Sequence, residues 1–402
     1  MNLLTEGIEK GYVIKTKRSK KLTIDGLSDD YDIYKVRLDL LFYNDQNDRI
    51  ATWLSEYESK NSTKLNVLDR EKYNSIIHDF ITKSNEEKLK ATELNIELNT
   101  QEESGVVLAD GRIIDGNRRF TCLRNLSKKS DKFNYFETTI LNKNYERDEK
   151  QIKMLELQIQ IGKEERVDYD PIDKLVGLYR DVEVKKLLTI DEYARGTNMK
   201  VSKAKSELEV ANLMVEFLEY INAKDQFYLA RELNLNGPLR ELQRILNKNI
   251  DEDKCEQIKC AVFSTMLVCP EKDLTRFVRK YDSISTSKYA DDFIDEQIEI
   301  AEKVIDNLPT NGKVNNDVIS EIRKDDKLRD SLSRSVEKYD NKVKVVETKN
   351  KPLQFVKRAS DMIGLIDQEV IKHMNENQKE EMIENINDIE ETIKEIKEAL
   401  NV

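Results

Sequence analysis

Two adjacent arginines stand where a short strand passes into a helix, in the stretch Gly116-Asn117-Arg118-Arg119. Phe120, Leu123 and Leu126 are three residues apart and would form the inner face of that helix. The first turn of a helix carries unpaired N–H groups and the positive end of the helix dipole, so cations are unfavourable there unless an anion joins them. We therefore predict a phosphate-binding turn made of Asp115, Gly116, Asn117, Arg118 and Arg119. The alternative is that both arginines pair with nearby acids, Asp115 included.

Cysteine and histidine chemistry is limited by how few of these residues the chain has. Its four cysteines show no C-x-x-C spacing, and its two histidines, His78 and His373, lie far apart in sequence. A structural zinc site usually needs such paired ligands. The sequence thus argues against zinc, and neither histidine lies in a recognisable Ser-His-Asp or Cys-His motif.

The phosphate-binding turn needs a strand before it and a helix after it, and the sequence predicts both. Asp110-Gly111 suits a tight turn between two short strands in the region 105–115. Further strands are predicted at 31–43 and 136–141, and helices at 48–59, 74–83 and 117–126. This mixture predicts an α+β domain over residues 1–145.

Strand patterns nearly vanish after residue 145. Residues 146–310 are predicted to be a helical domain and residues 311–402 a C-terminal helical region. The stretch LPTNGKVNN, 308–316, has the composition of a surface loop at a domain boundary. A second linker is predicted at 341–352, because Pro352 precedes a new helical pattern.

The last helix of the sequence has a heptad pattern. Its apolar residues, separated by alternating steps of four and three, are Met382, Ile386, Ile389, Ile393, Ile396 and Leu400. Such a seam is typical of a coiled coil, which predicts a homodimer. Two alternatives remain open: the helix packs on its own domain, or it pairs with a second apolar stripe in Phe355–Met374.

The charge of the chain is unevenly distributed. The net charge is −11, yet residues 10–21 hold six Lys or Arg and no acid, whereas residues 376–400 hold nine acids against three lysines. An acidic protein can still present a local basic surface to DNA. The N-terminal sequence lacks the pattern of a signal peptide, and no apolar stretch approaches the length of a membrane span, so we expect a cytoplasmic protein.

The N-terminal region resembles the ParB/sulfiredoxin-like superfamily over residues 35–145. A strand, Asp-Gly-Asn-Arg-Arg and a helix reading FTCLR resemble the superfamily's Gly-x-Arg-Arg turn, which cradles the phosphates of a nucleotide. Upstream, VRLDLLFYNDQNDRI, 36–50, is similar to the first strand and the Asn-x-Arg segment of the superfamily. The resemblance implies an α+β, ParB/sulfiredoxin-like nucleotide-binding domain. The apolar patterns described above predict that a mostly helical remainder follows it and ends in a helical hairpin or coiled coil.

Departures from the superfamily patterns restrict the activity that the resemblance implies. Asn117 stands where sulfiredoxins have their cysteine, which argues against reductase chemistry. Partition-type ParB proteins have a downstream Glu-Asn pair that holds magnesium, and the nearest match here is Glu156 followed by Leu157. Glu156 is thus the predicted Mg²⁺ ligand and catalytic residue, with Gln160 one turn further along. The nucleotide is expected to be CTP or ATP, with GTP left open.

A helix-turn-helix is the second feature that the chain shares with ParB proteins. The stretch 188–208 resembles one, with Ala194 at the small position of the first helix. Lys200, Lys203 and Lys205 would project outward from the second helix and contact DNA phosphates. The resemblance implies a nucleotide-dependent, homodimeric DNA-binding protein of partition, transcription or phage-defence type, with slow nucleotide hydrolysis. The alternatives are a ParB-like nuclease or NTPase, and a helical adaptor with a vestigial nucleotide fold.

Overall fold

The structure is a computed structural model with an α+β architecture: a five-stranded sheet lies near the N-terminus and a mostly helical remainder follows. It describes residues 1–24, 26–61, 64–160, 170–248, 251–269, 273–309 and 314–400. The chain forms two compact units, Met1–Tyr339 and Asp340–Val402. The predicted boundaries near 145 and 310 stay predictions, and part of the predicted surface loop at 308–316 lies outside the described residues.

The sheet mixes antiparallel and parallel pairing, and its strands lie in the order β1-β2-β5-β3-β4. The strands are β1 (Val13–Ile24), β2 (Leu27–Arg37), β3 (Gly105–Leu108), β4 (Ile113–Asp115) and β5 (Tyr135–Leu141). Only β3 and β5 run parallel, with Val106 opposite Thr139 and Val107 opposite Ile140. The short strand β4 is thereby held at one edge, where its end delivers Gly116 to the following helix.

The helices of the first unit cover both faces of the sheet and continue into the helical remainder. They are α1 (Ala51–Asn61), α2 (Arg70–Ser84), α3 (Glu86–Asn99), α4 (Asn117–Ser127), α5 (Glu149–Gln160), α6 (Pro171–Tyr179), α7 (Ile190–Gly196), α8 (Val201–Tyr220), α9 (Phe227–Glu232), α10 (Asn236–Leu246), α11 (Glu252–Val268), α12 (Leu274–Ser285), α13 (Ala290–Asp306) and α14 (Asn316–Ile322). A long helix, α15 (Asp326–Gly364), is followed by α16 (Gln368–Lys372) and α17 (Glu376–Ala399).

The buried strand β3 separates two apolar cores because its side chains alternate between the faces of the sheet. Val107 packs on one face with Phe120 and other residues of α4. Val106 and Leu108 pack on the opposite face with residues of α5, among them Leu155. Burial on both faces explains why β3 reads as a continuous apolar run. As predicted, Phe120, Leu123 and Leu126 are all buried.

Helix α1 connects the sheet region with the helical remainder. Trp53 stacks on Phe80 of α2, with 6.5 Å between ring centroids. The guanidinium of Arg231, in α9, lies 4.1 Å from the centre of the Trp53 ring. Ser55 and Ser59 add hydrogen bonds to the segment at the start of α9. These contacts fix α1, and with it the segment Asn47–Ile50 that leads into it.

Two sequence predictions differ from the structure, and the structure also places the basic segment 10–21. The strand predicted at 31–43 ends at Arg37, because the chain turns through a single 3-10 turn at Leu38–Leu40. The basic segment 10–21 falls largely in β1, where most of its lysines and arginines face solvent on an edge strand. The linker predicted at 341–352 is wrong, since those residues lie inside α15 together with Pro352.

Candidate functional site

The turn between β4 and α4 requires glycine for two reasons. Gly116 has φ of 103° and ψ of 18°, a left-handed conformation that glycine adopts without cost. A Cβ at this position would also lie 2.8 Å from the ring of Phe136. Glycine has no side chain that could cap α4, so the first-turn N–H groups are not satisfied by a side chain of the N-cap residue.

Arg119 is largely buried, and its guanidinium stabilises this turn through hydrogen bonds. Its guanidinium donates to the backbone oxygens of Glu103 at 2.5 Å and Ser104 at 3.1 Å, and to Asp115 Oδ2 at 3.0 Å. Only 14% of the side chain is exposed. Lys20, from β1, also donates to the Ser104 oxygen at 2.6 Å. The pairing with Asp115 that the sequence left open as an alternative therefore holds for Arg119.

Asn117, the first residue of α4, carries a buried polar atom and belongs to the wall of a cavity. The residue is 8% exposed, and its Oδ1 has no hydrogen-bond partner among the described residues. Leaving such an acceptor unsatisfied costs roughly 1–3 kcal/mol, which makes Asn117 a candidate contact for a ligand.

The cavity beside this turn has a volume of about 450 Å³, within the range of small-ligand sites. Its described lining residues are Asn47, Arg49, Ile50, Ile81, Ser84, Thr92, Asn95, Ile96, Gln101, Glu102, Glu103, Asp115, Gly116, Asn117, Arg118, Arg119 and Gln160. Three arginines thus come together from two distant segments, and three isoleucines form an apolar part of the wall. The Asn-x-Arg segment at 47–49 and the predicted phosphate-binding turn share one cavity.

Glu156 belongs to a buried ion cluster next to this cavity. Its Oε1 accepts from Gln160 at 3.2 Å, and its Oε2 lies 3.8 Å from the Lys153 ammonium. Burial raises the pKa of Glu156 to about 7, although Lys153 opposes the shift. Gln160 lines the cavity, whereas Glu156 is not among its described lining residues. The described residues contain no group of three or more His, Cys, Asp or Glu side chains placed to hold a metal ion.

A lysine ammonium therefore occupies the position beside Glu156 where a bound cation would be needed, and this does not fit a magnesium ligand. The role of Glu156 in metal binding and catalysis stays a prediction that no contact of the described chain supports.

Asp48 links the same ion cluster to the cavity wall. One oxygen of its carboxylate accepts from Lys153 at 2.8 Å and the other from Arg180 at 2.8 Å. Lys153 also lies 3.2 Å from Asp181. Burial alone would raise the pKa of Asp48, but the two cations together lower it below its usual range. The sequence analysis did not predict this cluster. The one hint in the sequence was Lys153, which stands three positions before Glu156 and so on the same face of α5.

The helices α7 and α8 are joined by a short turn within the stretch predicted to be a helix-turn-helix, and that motif stays a prediction. Ala194 and Ala204 are fully buried against each other's helix and against Leu157 of α5. Asn198 in the turn has φ of 54°, the left-handed conformation that asparagine tolerates. The predicted DNA-binding lysines, Lys200, Lys203 and Lys205, are all exposed. No acid lies in the first turn of α8.

Comparison with models of known protein families and with curated protein sequences found no match to this chain. No helix in the described part of the chain is both long and apolar enough to cross a membrane.

Proposed function

We propose that this chain is a ParB-like protein that binds a nucleoside triphosphate in the cavity at Gly116–Arg119 and binds DNA through α7 and α8. The observation that carries the proposal is the cavity itself, where the start of α4 and three arginines meet the buried, unsatisfied Oδ1 of Asn117. A helix N-terminus with arginines around it is suited to phosphate oxygens. Asn117 Oδ1 has no donor among the described residues, and a ribose hydroxyl next to the phosphates would supply one.

A nucleotide fits the cavity better than a small anion does. Phosphate groups would lie at the Gly116–Arg119 end, beside the first-turn N–H groups of α4 and the side chain of Arg118. The buried side chains of Ile50, Ile81 and Ile96 supply an apolar wall of the kind on which a base or sugar packs. Ser84, Thr92 and Asn95 add polar atoms to that wall, as in most small-molecule sites.

Magnesium enters this proposal as the counter-ion of the bound triphosphate. Mg²⁺ keeps several waters and commonly binds through one or two carboxylates plus phosphate oxygens. Because Glu156 is paired with Lys153, the proposal requires no direct contact between Glu156 and the ion. CTP and ATP are the expected nucleotides, and GTP is the third one to test.

We also propose that the chain is a homodimer joined through the second unit. The helix α17 exposes its apolar seam, with Ile386, Ile389, Ile393 and Ile396 each between 41% and 43% exposed. A helix of this kind is marginal in water unless a partner covers its apolar face. Residues 341–358 hold six Lys or Arg and one acid, so a second copy offers charge opposite to the acidic α17.

Calorimetric titration of the full chain with CTP, ATP and GTP, each with and without Mg²⁺, tests the nucleotide site. We expect one nucleotide to bind in the cavity, and Asn117→Ala to weaken it by roughly 10-fold, since one buried hydrogen bond is removed. Lys90→Gln, on the exposed surface of α3, is the matched control and should bind as the wild type does. If no nucleotide binds below millimolar concentration, the proposal fails.

A further inference from the structure

Two clefts flank the turn between α7 and α8, and exposed cations line both. One has a volume of about 340 Å³ and includes Lys21, Arg195 and Asn198 in its wall. The other has a volume of about 270 Å³ and includes Lys174 and Lys203. The turn supplies a lining residue to each cleft, Asn198 to the first and Met199 to the second.

The first cleft joins the basic strand β1 to the helix-turn-helix. Lys21 is the last lysine of the basic segment 10–21, and both Lys21 and Arg195 are exposed. The described residues that line this cleft include no acid. The basic segment 10–21 therefore contributes Lys21 to the same cleft that Asn198 lines.

The second cleft brings cations together from α6, α8 and α10. Lys174 of α6, Lys203 of α8 and Arg240 of α10 line it, and Glu207 is the acid in its described wall. Both oxygens of Glu207 accept from the guanidinium of Arg240, at 2.8 Å and 2.6 Å. Burial lowers the pKa of Lys174, Glu207 opposes the shift, and Arg49, Lys203 and Arg240 add to it. These cations are thus close enough to one another to affect the pKa of Lys174.

We propose that a DNA duplex lies across both clefts, with Lys21 and Lys174 binding backbone phosphates next to the turn between α7 and α8. This inference rests on the proposed DNA binding and specifies its surface. In helix-turn-helix complexes the second helix enters the major groove, and neighbouring elements contact the phosphates that border the groove. The exposed Lys200 and Lys203 at the start of α8 would face the groove, while β1 and α6 would reach its two borders.

Duplex binding measured by fluorescence anisotropy over a salt series tests this surface. The variants are Lys21→Gln, Lys174→Gln and the double variant, with Lys90→Gln as the matched control on α3. Each single variant should weaken binding roughly 3- to 10-fold irrespective of DNA sequence, and lower the slope of log affinity against log salt by about 0.9. The double variant should lower that slope by about twice as much, and Lys→Arg at both positions should restore it.

The outcomes separate this inference from the function on which it rests. If the wild type binds no duplex, the proposed DNA binding fails and this surface fails with it. If the triple variant of Lys200, Lys203 and Lys205 weakens binding while the Lys21 and Lys174 double variant keeps the wild-type slope, only the two-cleft surface is overturned. Equal affinity for single-stranded DNA of the same length would also overturn it, because the clefts are assigned to the two borders of a duplex groove.

Discussion

The two neighbouring arginines at the start of α4 differ in their surroundings, and substituting them should have different consequences. Arg119 donates to two backbone oxygens and to Asp115, whereas Arg118 contributes to the cavity wall. We expect Arg118→Ala to lower nucleotide affinity about 10- to 100-fold, because it removes one charge-assisted bond to phosphate. Arg119→Ala should lower the free energy of unfolding as well, by about 1–3 kcal/mol.

Calorimetry for affinity and thermal unfolding for stability separate the two effects. The proposed phosphate role of Arg118 is wrong if its variant folds and binds nucleotide as tightly as the wild type. Arg118→Lys is a useful companion, because it keeps the charge but loses the planar fork that suits phosphate.

At the residue scale, the sequence was informative where the chemistry is local. The turn at Gly116 and the inner face of α4 follow from glycine conformation and helical spacing, both of which a short window contains. The pairing of Asp48 with Lys153 and Arg180 could not be predicted in this way, because it joins residues more than a hundred positions apart. Charged residues are usually exposed, so nothing in the sequence marked these as buried.

At the scale of elements, Asp173 of α6 joins that helix to the start of α1. The carboxylate is 2% exposed and accepts from the Thr52 N–H at 2.9 Å. Burial raises the pKa of Asp173 to about 7, partly offset by the hydrogen bonds from Thr52. Between its ordinary pKa and about pH 7 the folded chain holds a proton that the unfolded chain has lost, so this group makes stability fall as the pH rises through that window.

Asp173→Asn should remove this pH dependence while keeping an acceptor for Thr52. Measured by urea unfolding, the stability of the variant relative to the wild type should be greater at about pH 8 than at about pH 5, by about 2–3 kcal/mol. Asp191→Asn, at an exposed position on α7, is the control and should leave the pH dependence unchanged. An Asp173→Asn variant with the wild-type pH profile would contradict the assignment.

The lysines of α8 give a prediction about salt. Replacing Lys200, Lys203 and Lys205 together by alanine should weaken duplex binding and reduce its salt slope by about 0.9 for each phosphate that a lysine no longer neutralises. All three side chains are exposed, so the fold of the helix pair should survive. A triple variant with the wild-type slope would show that DNA binds the protein somewhere other than α8.

Elements with a strong apolar period were predictable, and elements that tertiary packing stabilises were not. Strand β1 was missed because VIKTKRSKKLTI is mostly charged, and its stability comes from pairing with β2 along the sheet edge. Helix α3 was missed as well, since only Leu89 and Ile96 of its 14 residues are buried. The predicted strand 31–43 extends six residues beyond the observed end at Arg37. The apolar pattern continues past the turn because Leu41 and Tyr43 are buried core residues.

At the scale of the whole molecule, the apolar seam of α17 predicts how two copies associate. Phe355, Met362 and Ile366 are exposed, as is the seam, so the intramolecular hairpin that the sequence left open is not formed in the described chain. The apolar stripe in Phe355–Met374 and the seam of α17 both face solvent. A second copy of the chain is therefore the proposed partner that buries the seam.

Ile389→Asp/Ile396→Asp should convert the dimer into a folded monomer, because each buried isoleucine contributes roughly 1.5–3 kcal/mol to the interface. Light scattering measures the mass, and circular dichroism checks that the first unit stays folded. Glu390→Gln/Lys397→Gln, on the same helix but off the seam, is the matched control. A double aspartate variant that stays dimeric would place the interface elsewhere.

Trp53 gives the chain an intrinsic optical reporter. It is the single tryptophan of the sequence, and it lies three residues beyond Ile50 in the cavity wall. Its indole is held between the Phe80 ring and the Arg231 guanidinium, a cation placed where it interacts with the π-electrons. Any ligand that shifts the Asn47–Ile50 segment should therefore change the wavelength or intensity of tryptophan emission, and Arg231→Met should alter the spectrum of the free protein. A label-free fluorescence titration can thus follow cavity occupancy from one position in the chain.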